Sequence, residues 1–327
     1  MKQLFLSLFC ASALFCACSD KDKDDNIDDG VDQLDQASDF IKDNLDAAKQ
    51  TFQRTVSNDP TVLTLDNGVK LTIPGGNVFT KNGTPITGEY TIEINTMLKP
   101  SDVFLSGTNT NYRGGYYLES DGFFHLNVLQ NGESVDAITS QFLGISIPTD
   151  KANGTWTQIW EGVEVDDQFA WQEAADTVLN NDGRTDKGGV LSYNKNFSFE
   201  FKKIGWFNCD VYWSTGTSTT VTVTLTGQVG ELAAFQGYTG DTFIFFKAKD
   251  SNVMAQLYTK INATTVKSYD NSMPIDTEGT LLAFSIKDGA YSYATKEIKI
   301  AADLQETLEL QPITKEDILV ALKALDK

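Results

Sequence analysis

The chain has 327 residues, of which 41% are hydrophobic and 11% aromatic, a composition that excludes disorder and predicts a sizeable folded core. Its 45 acidic and 26 basic residues give a formal net charge of −19. Such an acidic surface repels phosphate groups, which excludes nucleic acid and direct adhesion to anionic lipid. With one histidine, and without a phosphate-binding loop, metal-spaced cysteines or an HExxH motif, we expect no catalysis, no cofactor and no metal.

Residues 1–17 have the order of a secretory signal peptide. Lys2 gives a cationic start, an apolar run extends from Leu4 to Phe15, and small Ala17 ends the segment. The run is about a dozen residues long, which is short of the roughly 20 that a membrane-spanning helix needs. We therefore expect an export signal and not a membrane span.

The cysteine that follows this leader is predicted to carry lipid. Residues 15–19 read Phe-Cys-Ala-Cys-Ser. This segment resembles the lipobox of bacterial lipoproteins, in which the cysteine after a small residue is acylated and becomes the new N-terminus. The resemblance implies that lipid chains on Cys18 anchor a soluble body to a membrane. An ordinary signal peptide with an incidental cysteine is the alternative.

The next segment, 18–30, is predicted to be an acidic tether. From Ser19 to Gly30 it contains six aspartates and two lysines, so it should remain solvated and extended. It resembles the short acidic signal after the lipidated cysteine in surface-exported lipoproteins of Bacteroidetes, which implies the outer face of the outer membrane. A plain spacer on a lipoprotein that faces the periplasm is the alternative.

Segment 31–58 is predicted to be an amphipathic helix. Its apolar positions from Leu34 to Phe52 recur at a spacing of three to four residues, and Pro60 cannot continue a helix. We expect this helix to pack on the sheets of its own chain. A coiled-coil dimer is the alternative.

Beyond this helix the pattern alternates with a period of two, and Asn-Gly dipeptides mark tight hairpins. Domains average about 150 residues, so the length favours two domains. The fold class is therefore mainly β, with two antiparallel β-sandwiches of immunoglobulin-like or transthyretin-like type over 59–150 and 190–312. A turn-rich connecting segment is expected over 151–189. Thr314 is predicted to cap a short C-terminal helix over 313–327.

Several short motifs carry a resemblance to a known family. Residues 71–124 include Pro-Gly-Gly, Leu-Lys-Pro-Ser-Asp-Val and Glu-Ser-Asp-Gly-Phe-Phe, and residues 205–210 read Gly-Trp-Phe-Asn-Cys-Asp. These motifs resemble uncharacterised surface lipoproteins of Bacteroidetes. The first sandwich of that family is similar to ZU5-type modules, and its second half carries a Gly-Trp-x-Asn-Cys-Asp motif. The resemblance covers much of residues 60–215 and implies an architecture, without catalytic residues.

Tryptophans are the candidate ligand-binding residues. On a strand, Trp156 and Trp160 would share one face with Gln158, and flat rings on such a face can stack on sugar rings. Trp206, in the Gly-Trp motif, is the third candidate. The alternative for all five tryptophans of the chain is that they fill the sandwich cores.

Neither the histidine nor the cysteine of the body is predicted to be reactive. Alternation around His125 places it on the outward face of a strand, and no motif supplies an orienting partner. Cys209 has Asn208 and Asp210 beside it, which favours a small buried residue over an activated thiol. The other three cysteines lie at or before Cys18, so the body has no pair for a disulfide.

Together these features predict a lipid-anchored protein of the cell envelope that acts as a non-catalytic binding or structural module, with a glycan or another envelope protein as its partner. Two alternatives are open. A pilus subunit similar to the fimbrillins would need a donated or accepted strand. A glycan-capture lipoprotein would expose flat rings in a row.

Overall fold

The computed structural model describes residues 36–112, 115–165, 168–174, 178–179, 188–213, 216–234 and 240–327. The predicted leader, the Cys18 lipidation site and the acidic tether lie outside these residues. The described chain is mainly β, as predicted, and belongs to one compact unit, Leu34–Lys327. Within the described ranges, no helix is long and apolar enough to cross a membrane.

The regular elements are numbered along the chain. The helices are α1 Ala37–Ala47, α2 Pro100–Leu105, α3 Lys315–Lys323 and a final 3-10 turn, Ala324–Asp326. The strands of the first half are β1 Gln50–Thr55, β2 Thr61–Thr64, β3 Lys70–Ile73, β4 Thr80–Lys81, β5 Thr84–Pro85, β6 Glu89–Met97, β7 Asn111–Tyr112, β8 Tyr116–Gln130, β9 Glu133–Ser134, β10 Ile138–Pro148, β11 Trp156–Val165, β12 Gln168–Glu173 and β13 Val178–Leu179. Those of the second half are β14 Gly189–Leu191, β15 Asn196–Lys203, β16 Gly205–Tyr212, β17 Ser218–Thr219, β18 Thr222–Gly227, β19 Thr242–Ala248, β20 Met254–Gln256, β21 Thr259–Asn262, β22 Thr265–Lys267, β23 Met273–Pro274, β24 Glu278–Lys287, β25 Ala290–Lys299 and β26 Gln305–Pro312.

The first sandwich is built from two sheets that face each other across a hydrophobic core. The larger sheet has the order β1-β6-β8-β16-β11-β12, with β14 beside β11 and the short β7 and β9 beside β8. The smaller sheet has the order β13-β15-β10-β3-β2. Side chains such as Leu71, Ile94, Phe124 and Phe199 from both sheets fill the space between them, which we call core 1.

The predicted N-terminal helix over 31–58 is wrong in its second half. Helix α1 ends at Ala47 and buries Phe40 and Ile41. The chain then turns into β1, which pairs antiparallel with β6 along its whole length. Phe52 thereby packs against core 1. The edge of β6 offers β1 a ladder of hydrogen bonds, and this tertiary pairing outweighs the helical spacing of the apolar residues.

The predicted domain boundaries also differ from the structure. Segment 151–189, predicted as a connection, holds β11 and β12 of the first sandwich. Strands β15 and β16, predicted for a second sandwich from 190 onward, pair with β10, β8 and β11 and complete the first one. A strand can join a sheet wherever an edge is open. Strand β16 lies between β8 and β11, which both precede it in the chain. The partners of these strands are far away in the sequence, so the local pattern of apolar residues does not reveal which strands pair.

The second sandwich therefore begins at Ser218. One eight-stranded sheet has the order β20-β19-β24-β25-β26-β18-β22-β21. It folds on itself, because Phe246 on β19 and Val266 on β22 meet in one buried cluster, core 3. Strands β18 and β26 pair in parallel, and the other strand pairs in the described part of the chain are antiparallel. Among the described residues, this pair and an isolated parallel bridge between Leu232 and Thr242 depart from the predicted antiparallel arrangement.

A third cluster, core 2, joins the two sandwiches. It combines Phe123 and Trp160 from the larger sheet of the first sandwich with Phe245 from the second, and all three helices contribute to it. Phe104 of α2 packs against Phe245 with ring centroids 5.1 Å apart. Because one continuous apolar cluster links both sandwiches, we expect them to unfold together.

A buried polar segment between α2 and β8, which includes Asn109, Thr110 and Asn111, also holds the two sandwiches together. Asn111 donates through Nδ2 to the carbonyl oxygen of Gln256 at 2.8 Å, and its Oδ1 accepts from the Gln256 N–H at 2.8 Å. Asn109 Nδ2 donates to Gln256 Oε1 at 2.7 Å. The Thr110 hydroxyl accepts from the Met254 N–H at 3.0 Å. Buried polar groups that are fully paired in this way specify one arrangement of the two sandwiches.

The structure confirms the predicted C-terminal helix. Thr314 caps α3, since its hydroxyl accepts from the Asp317 N–H at 3.1 Å. Asp326, in the final turn, accepts from the N–H and the hydroxyl of Ser101 at 2.9 Å and 2.8 Å. Lys99, which precedes α2, supplies no side-chain cap, so Asp326 does this for α2 from 225 residues away.

Candidate functional site

The five tryptophans divide between the cores and the surface. Trp160 and Trp171 are fully buried in core 2, and Trp213 is buried in core 3. Trp206 is half-buried. Trp156 stands apart, because 51% of its surface is exposed. Of the three predicted binding residues, Trp156 alone therefore presents an open ring.

Trp206 forms a pair with the histidine of the chain. It lies opposite His125 in the register of β16 and β8, and the ring centroids are 4.6 Å apart. His125 is half-buried, and this burial lowers its pKa to about 4. The ring is thus neutral at neutral pH and acts as packing surface. Cys209 is fully buried in core 1, where burial raises the pKa of its thiol, as expected for an inert residue.

Trp156 and Trp160 lie on the same face of β11, as predicted, but at different depths. Tyr112, at the end of the buried polar segment, covers Trp160 with a centroid distance of 5.2 Å. Trp156 is four residues nearer the strand's start and lies directly across from Leu191 of β14. The register that pairs Gln158 with Asp210 places Trp156 beside Tyr212 of β16.

These pairings place five exposed side chains on adjacent strands, and we call this group the aromatic row. It consists of Tyr116 on β8, Tyr212 on β16, Trp156 on β11, Leu191 on β14 and Tyr193 just beyond β14. Each is between 46% and 65% exposed, and five of the nine exposed large apolar side chains among the described residues lie here. Neighbouring strands are about 4.8 Å apart, so the four strands give the row a length of about 14 Å.

Ring contacts hold the two tyrosines at one end of the row. The rings of Tyr116 and Tyr212 meet edge to face, with centroids 5.9 Å apart. Tyr212 also contacts the buried Trp160 at 5.4 Å, so the exposed ring rests on core 2. Contiguous apolar surface of this kind on a soluble domain marks an interaction site more often than chance exposure does.

The Trp156 indole lies directly against the backbone at Gly189. A Cβ atom at Gly189 would be 2.4 Å from Nε1 and 3.0 Å from Cε2 of Trp156. No side chain fits between the ring and this stretch of backbone, so the glycine fixes the indole position. A ring that is already held in place loses little conformational freedom when a ligand binds.

Polar groups lie at one edge of the row. The ring of Tyr212 contacts the ring of Tyr112, with centroids 5.6 Å apart, and Glu173 interacts electrostatically with the Tyr212 hydroxyl. Burial, together with these neighbours, raises the pKa of Tyr212 to about 12, so the hydroxyl remains protonated. Glu173 on β12 pairs with Trp160 on β11, which places its carboxylate on the same face as the row. The row is thus an apolar strip with a carboxylate beside it.

A second polar cluster lies in the larger sheet where β8 bulges. Asp210 is fully buried, accepts from Asn208 Nδ2 and has one oxygen, Oδ1, with no hydrogen-bond partner in the protein. Burial raises the pKa of Asp210 and raises that of Asp121 to about 6, against the opposing effect of Lys151 at 3.8 Å.

In the part of the chain that the structure describes, no group of three or more histidine, cysteine, aspartate or glutamate side chains is arranged to hold a metal.

Four members of the row were missed by the sequence analysis: Tyr116, Leu191, Tyr193 and Tyr212. The local pattern carries one signal for them, since Leu191 and Tyr193 are two residues apart and so share a face of an extended chain. Their proximity to Trp156 follows from the pairing of β8, β16, β11 and β14, which the sequence pattern does not reveal.

The fold and this surface define a two-sandwich β protein with an exposed aromatic face. No family model, curated protein or solved structure matches the chain. The resemblance to surface lipoproteins of Bacteroidetes therefore stays a prediction.

Proposed function

We propose that this protein is a non-catalytic binding module of the cell envelope and that the aromatic row binds a glycan. The observation that supports this proposal is the clustering of exposed rings on one sheet face, with Trp156 seated on Gly189. Sugar rings present flat faces of C–H groups, and the faces of tyrosine and tryptophan rings provide matching apolar surface next to polar hydroxyl and indole N–H groups.

The size of the row favours a glycan over a folded protein partner. A standard protein interface involves about 20–30 residues on each side. The row has five side chains, which suits a narrow chain-like ligand better than a broad surface.

The pilus alternative gains no specific support. A subunit that accepts a strand needs a sandwich with an open groove in its core. In the described residues, cores 1, 2 and 3 are filled by strands and helices of this chain.

We further propose that Cys18 carries the lipid anchor and that the module faces outward from the outer membrane. The lipobox-like segment and the acidic stretch after it support this placement. The 18 residues between Cys18 and α1 could span at most about 60 Å when extended, which would allow the row to reach ligands beyond the membrane surface. Cys18→Ala is expected to shift the protein from the membrane fraction to the soluble fraction, and an unchanged partition would refute the anchor.

The binding proposal is tested by retention on a panel of immobilised polysaccharides. Trp156→Ala should weaken retention about fivefold, since a stacked ring contributes about 1 kcal/mol. The matched control is Val320→Ala, which removes an exposed apolar side chain on α3 outside the row. Both variants should melt at nearly the wild-type temperature, because neither side chain is buried.

Gly189→Ala provides a second variant that keeps the tryptophan. The added methyl group would displace the Trp156 indole from its position against the backbone. The backbone itself accepts alanine, because Gly189 has no positive φ. We expect weaker retention than for wild type with little change in melting temperature. The proposal fails if the panel retains no polysaccharide, or if Trp156→Ala and Gly189→Ala bind as well as Val320→Ala.

A further inference from the structure

We infer that the aromatic row takes an uncharged glycan chain of at least three sugar units, and that Glu173 is the residue that discriminates against acidic sugars. This inference rests on the proposed function and deepens it. It follows from two features of the row, its length across the strands and the position of one carboxylate.

The length of the row sets the size of the ligand. Its members lie on four consecutive strands of one sheet, and each step between strands is about 4.8 Å. This spacing is close to the length of one sugar ring in an extended glycan chain. A chain that runs across the strands would therefore meet Tyr116 or Tyr212, then Trp156, then Leu191 or Tyr193 with successive units. A single sugar would cover one of these positions only.

The charge at the row sets the chemical class of the ligand. None of the five row side chains carries a charge, and among the described residues the carboxylate of Glu173 lies beside Tyr212, because Glu173 pairs with Trp160, whose ring is 5.4 Å from that of Tyr212. A carboxylated sugar stacked near Tyr212 would bring a second negative charge close to that of Glu173, and the two charges would repel each other. The net charge of −19 repels anionic chains from further away.

Salt separates these two electrostatic effects. At 1 M ionic strength the Debye length falls to about 3 Å, so the repulsion from the whole acidic surface is screened while a contact between neighbouring carboxylates is not removed. Discrimination that persists in high salt is therefore attributable to a local group. Glu173→Gln tests that group, because glutamine retains a side chain of the same shape that can hydrogen-bond to Tyr212.

The experiment uses the full mature chain and three probes. These are the neutral polysaccharide retained by the panel, its acid-hydrolysis fragments of one to six units, and the same polysaccharide oxidised at its primary alcohols to carboxylates. Affinity should rise about fivefold for each of the first three units and then level off. Wild type should prefer the neutral polymer over the oxidised one at least tenfold in 1 M salt. Glu173→Gln should reduce that preference several-fold.

Glu309→Gln is the matched control, since it removes the same charge from an exposed position on β26. It should leave the preference as in wild type. The inference is overturned if single sugars bind as tightly as trimers, if the panel retains acidic polysaccharides only, or if Glu173→Gln and Glu309→Gln have the same preference. In each of those cases the glycan-binding function stands. If the panel retains no polysaccharide, the proposed function itself fails.

Discussion

Replacing Trp160 with alanine is expected to lower the free energy of unfolding by about 3–5 kcal/mol, the range for removing a large buried aromatic side chain. Trp160 has no exposed surface and lies in core 2, which joins the two sandwiches. Its ring contacts Tyr112 and Tyr212, and its indole N–H donates to the carbonyl oxygen of Asp210 at 3.2 Å. The substitution removes all these contacts and leaves a cavity at the junction.

The matched comparison is Trp156→Ala, the same chemical change four residues away on the same face. Because half of the Trp156 surface is already exposed, we expect its cost in unfolding free energy to remain below about 1 kcal/mol. Urea denaturation of both variants, followed by circular dichroism, measures the difference. Equal losses of stability for the two variants would contradict the assignment of Trp160 to the core and of Trp156 to the surface.

Asp121→Asn is expected to stabilise the protein by about 3 kcal/mol at pH 8 and to have little effect at pH 3. Burial raises the pKa of Asp121 from 3.8 to about 6, an increase of about 2 units at 1.36 kcal/mol each. A carboxyl whose pKa is raised by folding binds its proton more tightly in the folded state. Its contribution to stability is therefore complete below pH 3.8 and is lost as the pH rises through about 6.

The measurement is the unfolding free energy of both proteins between pH 3 and pH 8. Wild type should lose stability relative to Asp121→Asn between about pH 4 and pH 6, where the folded state holds a proton that the unfolded state has released. Asp66→Asn, at an exposed turn, serves as the control for the loss of one negative charge. Parallel pH profiles for wild type and Asp121→Asn would show that Asp121 is not desolvated.

The elements that the sequence predicted well are those whose signal is local. The final helix has its capping residue, Thr314, and its apolar spacing within one stretch of chain. The alternation of β6 and β10 likewise reports a buried face at each second residue. Such patterns depend on near neighbours in the chain, so they survive in the folded structure.

The elements that the sequence did not predict depend on distant partners. The residues of β1 have a helical spacing, yet they form a strand because the edge of β6 is open to them. Strand β16 lies between β8 and β11, although its paired residues on β8, from Leu126 opposite Gly205 to Leu118 opposite Tyr212, are about 80 to 95 residues away in the sequence. No property of residues 205–212 alone indicates which sandwich they complete.

Prediction of the candidate site from the sequence is limited in the same way. The sequence places Trp156 and Trp160 on one face, and the structure agrees. The buried ring differs from the exposed one in its neighbours, because Tyr112 and Tyr212 pack against Trp160, whereas half of the Trp156 surface is open. Depth below the surface is a property of the packed structure, which periodicity along one strand does not contain.

We propose that the aromatic row is the ligand-binding surface, and hydroxyl-radical footprinting of Trp156 tests this assignment. Trp156 is the most exposed tryptophan among the described residues, so its oxidation is readily followed by mass spectrometry. With the retained polysaccharide bound, we predict that oxidation of Trp156 falls several-fold while that of the exposed Val320 on α3 does not change. Unchanged oxidation of Trp156 under conditions where the polysaccharide is bound would contradict the claim.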